Sequence, residues 1–172
     1  MTKHDAQLDE VDHLPDVHSL TGFGDRDRLF ADLDEAVAEL RASKLMVIFE
    51  LGGLKQHARA LGATATNSLL ARLANRLAET VGTSGSCYSL RGAEFCTLID
   101  DPGTERSALL ETVAAALCEN DGGHEVSAAF GAVLLPGEAE DTARALELAD
   151  QRLNFQKRAR GFDQPRYNTA VA

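Results

Sequence analysis

The residues able to do chemistry are thinly spread in this 172-residue chain. Cys87, Cys96 and Cys118 form no C-x-x-C pair and have no nearby histidine at zinc-ligand spacing, so a structural metal is not indicated. They read as buried free thiols. Cys87 and Cys96 would lie diagonally on one face of a hairpin, which leaves a disulfide conceivable, but a reducing compartment disfavours it. His4, His13, His18, His57 and His124 show no i, i+4 pairing on a common face, and none is assigned a catalytic part. Acids outnumber Lys and Arg by 27 to 17, giving a net charge of −10, and the bases are scattered along several segments. A nucleic-acid or anionic-membrane surface is therefore not expected. Glu50 interrupts an apolar run near its end, and Arg91 and Glu94 flank a tight turn at Gly92-Ala93 that leaves them at one end of a sheet.

One folded unit must position these residues. With 44% apolar residues the chain can bury a core, and a domain near this size hides roughly 70% of its unfolded surface. Residues 1–17, with five acids and two histidines, read as a flexible lead or linker, and residues 162–172 as a tail or edge strand. The longest apolar stretch, Leu45–Leu51, is interrupted by Glu50 and falls far short of the ~20 residues of a membrane helix. The start of the chain lacks a basic-then-apolar secretory pattern, so a cytoplasmic location is expected.

Leu29, Phe30, Leu33, Val37 and Leu40 recur at helical spacing and predict a helix over Arg26–Arg41 capped by Asp25. Leu45–Leu51, ahead of Gly52-Gly53, suits a central buried strand. Leu54–Leu61 is a short helix ended by Gly62, and Thr64 or Thr66 caps a longer one carrying Leu69, Leu70, Leu73, Leu77 and Val81. Ser86–Arg91 and Glu94–Ile99 read as strands joined by a two-residue turn. Thr104 starts a helix with Leu109, Leu110, Val113 and Leu117 on its apolar side, Glu125–Leu134 is a further strand, and a last helix runs from Ala139 to Arg158. The sum is an α+β arrangement with helices segregated against a mostly antiparallel sheet.

Several stretches of this pattern resemble the GGDEF family of diguanylate cyclases. Leu20-Thr21-Gly22-Phe23-Gly24-Asp25-Arg26 followed by Leu29-Phe30 is similar to the opening D-x-L-T-G-L-x-N-R-x-x-F, with His18 at the Asp and Asp25 at the Asn. Phe49-Glu50-Leu51-Gly52-Gly53-Leu54-Lys55 resembles the metal-binding strand end D-x-D-x-F-K, and Arg91-Gly92-Ala93-Glu94-Phe95 falls at the signature hairpin. Phe130-Gly131-Ala132 and Ala149-Asp150-x-x-Leu153-x-x-x-Lys157 resemble the closing S-x-G-x-A and A-D-x-A-L-Y-x-A-K. The resemblance spans residues 18–161 and implies a palm-like, ferredoxin-like sheet of the nucleotidyl-cyclase type.

It also implies a reaction: attack of one GTP 3′-hydroxyl on the α-phosphate of a second GTP, each bound by its own domain of a head-to-head dimer, with Mg²⁺ held by carboxylates. Carried over residue by residue, Glu50 and Glu94 stand at metal positions, but Ala93 replaces the acid that serves the family as ligand and base. Arg91 replaces the first signature glycine, and Gly52 the second Asp of the strand end. Arg91 can instead pair with Glu94 or Glu50 and put its own charge where a metal would sit. The guanine-contacting Asn and Asp of the family fall on Ala58 and Asn67. Lys55 and Lys157 fall where the family contacts phosphate. Gly82-Thr83-Ser84-Gly85 stands in place of the R-x-x-D of an inhibitory cyclic di-GMP site, so product feedback is not expected.

With so many positions altered, the expectation is a degenerate domain without catalytic residues, acting as a regulatory or dimerisation module beside a second copy or a neighbouring signalling domain. Mg²⁺ is expected only if a nucleotide binds. Two other readings stay open: a weak diguanylate cyclase using Glu50 and Glu94, and a GTP sensor binding through Lys55, Asn67 and Lys157 without turnover.

Overall fold

The computed structural model describes residues 21–162; the lead over 1–17 and all but Phe162 of the tail lie outside them. Helix α1 (Arg26–Ala38) begins where expected, the Asp25 carboxylate accepting from the Arg28 N–H. It stops before Leu40, which is 88% exposed, because Glu39 turns to extended backbone. Strand β1 (Lys44–Gly52) follows, with Leu45 to Phe49 buried in succession. An unbroken apolar run suits a strand covered on both faces.

Helix α2 (Leu54–Leu61) and helix α3 (Ala63–Val81) come next. Neither threonine caps α3, which starts directly after Gly62 without a side-chain cap. Thr66 lies inside the helix, its hydroxyl donating to the Gly62 carbonyl and lying 2.8 Å from Nδ1 of the fully buried His57. The hairpin of β2 (Gly85–Ser89) and β3 (Glu94–Asp100) leads through a short 3-10 turn to α4 (Arg106–Ala116). A three-residue strand β4 (Glu119–Asp121), not expected from the sequence, pairs with β5 (His124–Leu135), and α5 (Thr142–Ala159) ends the described fold.

The five strands form one antiparallel sheet in the order β2-β3-β1-β5-β4. On one face Val47, Phe49, Phe95 and Ala128 meet α3 and α4; on the other, Met46, Tyr88, Cys96 and Val133 meet α1 and α5. The expected α+β class with a mostly antiparallel sheet is what is found. No helix among the described residues is long and apolar enough to cross a membrane.

The hairpin turn differs from expectation. Leu90 N–H donates to the Glu94 carbonyl, so Arg91-Gly92-Ala93 forms a three-residue connection. One extra residue shifts the register by one, and in a strand that moves side chains to the opposite face. Tyr88, not Ser89, therefore stands across from Cys96, and Cys87 faces the α3/α4 core while Cys96 faces the α1/α5 core. The conceivable Cys87–Cys96 disulfide is ruled out by that parity, and Cys87, Cys96 and Cys118 are free thiols.

Candidate functional site at the end of the central strand

Glu50, near the end of β1, stands directly opposite Glu94 at the start of β3, both on the α1/α5 face. Two like charges directly across a strand pair repel. Relief comes from α5. Leu153 is buried against the sheet, and Lys157, one turn further along the same helix face, reaches across so that its Nζ lies 2.9 Å from both Glu50 oxygens. The Lys157 side chain is only 13% exposed and that of Glu50 29%, so the pair is partly withdrawn from water.

Glu94 has no such partner among the described residues. Its half-buried carboxyl is held above the usual Glu range, first by burial, then by the Glu50 and Asp150 charges, with Lys157 and Arg91 opposing more weakly. The expected pairing of Arg91 with Glu50 or Glu94 does not form. Arg91 is exposed at the hairpin tip and makes no ion pair among the described residues, because Lys157, fixed by its helix, takes Glu50 first. Ala93 packs toward the α3/α4 core and its carbonyl accepts from the Leu51 N–H at 3.0 Å, tying the hairpin tip to β1.

The other predicted residues are spread around this point. Lys55 is exposed on α2. Asn67 is on α3, its Oδ1 buried and without a hydrogen-bond partner among the described residues. Ala58, half-buried on α2, offers no polar atom beyond its backbone.

Phe162 was missed at this site, having been assigned to the tail. The end of α5 is closed by Gly161 with φ +63°, and two reversed hydrogen bonds, Gly161 N–H to Arg158 and Phe162 N–H to Lys157, complete a Schellman cap. That cap turns the Phe162 ring back onto β1, where a Cβ on Gly52 would lie 2.7 Å from it. A glycine after the last helical residue followed by an apolar residue is the sequence signal that could have found it.

A Mg²⁺ ion needs several oxygen ligands in near-octahedral array. Glu50 is bound on both oxygens by an ammonium, Ala93 brings no side-chain ligand, and no cluster of three or more His, Cys, Asp or Glu among the described residues could hold a metal. The residues present do not fit the ion.

The profile of the family "Diguanylate cyclase, GGDEF domain" matches residues 16–162. Among solved structures, the GGDEF domain of TpbB (YfiN) from Pseudomonas aeruginosa is similar at 23% identity and a TM-score of 0.71, covering 82% of this chain and 88% of that one. A sensory box/GGDEF family protein from Caulobacter crescentus is similar at 22% identity and a TM-score of 0.71, covering 82% and 97%. The diguanylate cyclase SiaD of Pseudomonas aeruginosa, solved in complex with its activator SiaC, is similar at 20% identity and a TM-score of 0.69, covering 90% and 62%. No curated protein matches the chain. A family profile covering most of the chain, together with the shared fold, shows that this chain belongs to the GGDEF domain family.

Proposed function

We propose that this GGDEF domain is degenerate: it does not join two GTP molecules into cyclic di-GMP, and it acts in the cytoplasm as a regulatory or dimerisation module for a second copy or a neighbouring signalling domain. The observation that carries this reading is the contact of Lys157 Nζ with both oxygens of Glu50 at 2.9 Å. An ammonium in contact with that carboxylate competes with a divalent ion for the same oxygens and repels it. Ala93 can supply neither a ligand nor a base, and losing a general base alone costs roughly 10²- to 10⁴-fold. The Phe162 ring covers Gly52, where the family pattern has a carboxylate. SiaD, a relative by fold, is solved with its activator bound, and control through a protein contact is the role we extend to this chain.

The test is melting of the purified protein with and without Mg²⁺ and GTP, followed by chromatography of the nucleotides. No shift and no product is the expected outcome; cyclic di-GMP in the eluate would overturn the reading. A different outcome would point to the nucleotide sensor, binding through Lys55, Asn67 and Lys157 without turnover. A melting shift without product is its signature.

A further inference from the structure

On the α1/α5 face a cleft of about 480 Å³ opens between α1, α5 and the β2–β3 hairpin. That volume lies within the roughly 300–1,000 Å³ of small-molecule sites. Leu29, Ile48 and Leu146 supply apolar wall, and Asp25, Arg26, Arg91, Glu94 and Asp150 supply charge.

Which sign of ligand such a cleft takes is decided first by the charge that cannot turn away. Arg26 and Arg91 are exposed, and the Arg26 guanidinium lies over the Phe30 ring at 5.2 Å from its centre. Asp25 is occupied in capping α1. Glu94, by contrast, is fixed in the ladder opposite Glu50, is half-buried, and makes no carboxylate hydrogen bond or ion pair among the described residues. Asp150, on α5, is exposed and accepts from Asn154 Nδ2 at 3.1 Å, but it lines the same cleft and is near enough to raise the cost of the Glu94 charge. Glu94 and Asp150 thus share a semi-enclosed space with apolar surface, and among the described residues neither is ion-paired to Arg26 or Arg91, the two exposed arginines that also line it.

We propose that this cleft binds a small organic cation, an alkylguanidine or alkylamine, with its apolar body on Leu29, Ile48 and Leu146 and its charged head between Glu94 and Asp150. A guanidinium can donate to two carboxylates at once, and charge-assisted bonds of that kind are the strong ones. A phosphate-bearing anion would set negative charge against Glu94. The inference stands apart from the reading of Lys157 and Glu50: cation binding can fail while cyclase activity stays absent, and the reverse.

The test is an NMR titration of the whole chain with butylguanidinium and, separately, with inorganic phosphate at equal ionic strength. The expected result is saturable shifts confined to residues lining the cleft, with a dissociation constant of about 1 mM or tighter, as a ligand of this size allows. Glu94→Gln should weaken binding by about tenfold or more, and Leu146→Lys, which brings its own ammonium into the cleft, should abolish it while the protein still melts cooperatively. Absence of saturation, unchanged binding by Glu94→Gln in a folded protein, or phosphate moving these residues in place of the cation would each overturn the proposal.

Discussion

Lys157 is bound at both of its ends: its ammonium holds Glu50, and its carbonyl accepts the N–H of Phe162. The last turn of α5 is thereby latched to the last residues of β1. Exposed ion pairs contribute about 0–1 kcal/mol, whereas breaking a buried one costs about 3–5 kcal/mol. This pair lies between those limits, so Lys157→Met is expected to destabilise by about 1–3 kcal/mol. Glu50→Gln in the same chain should recover part of the loss by removing the stranded charge. Denaturant unfolding of the four proteins of the cycle checks both statements.

Glu94 sets a pH dependence of defined sign. Its folded-state carboxyl titrates above the ordinary Glu value of 4.5, because burial and the Glu50 and Asp150 charges disfavour ionisation. The folded protein then binds the proton more tightly than the unfolded chain does. Its contribution to stability is full below the unfolded value and is lost as pH rises through the folded one. Glu94→Gln is expected to be more stable than the parent at pH 7, with the gap closing below about pH 4. Urea midpoints across this range provide the check.

Gly52 and Phe162 should be coupled. Phe162 is half-buried, so Phe162→Ala is expected to cost about 1–3 kcal/mol, less than the 3–5 of a fully buried ring. Gly52→Ala would place a methyl group 2.7 Å from the ring and force it away, at about 1–3 kcal/mol. In the Phe162→Ala background that cost should largely vanish, a non-additivity readable in melting temperatures.

Restoring an acid at the signature position should not restore activity. Ala93→Glu puts a carboxylate where the side chain packs toward the α3/α4 core, while Lys157 still occupies Glu50. The expected outcome is a loss of about 1–3 kcal/mol in stability and no cyclic di-GMP by chromatography. Product from this single variant would mean that the remaining site is competent.

Most of the architecture was legible because long periodic segments leave little choice. The leucines of α3 and the unbroken run of β1 each fit one element type. The misses share a different cause: they depend on one-residue details of turns. A third residue in the Arg91-Gly92-Ala93 connection is invisible to apolar patterning, yet it moved Cys87 and Cys96 to opposite faces. Strand β4 has no apolar alternation, and the Gly122-Gly123 turn that pairs Asp121 with His124 was its signal. At the candidate site, the family pattern located Glu50, Glu94 and Lys157 but not the contact between the first and last. That contact needs the register of α5 on the sheet, which sequence spacing does not contain. Phe162 depends in the same way on the cap that turns the chain back.

The central claim, that Lys157 fills the cation position of Glu50, is most directly tested by following the side-chain carboxyl resonances of Glu50 and Glu94 during a Mg²⁺ titration to about 10 mM, a range that saturates carboxylate sites built for the ion. The account predicts no saturable shift at either residue in the parent protein and a new one at Glu50 in Lys157→Met. Saturable Mg²⁺ binding at Glu50 with Lys157 in place would contradict it.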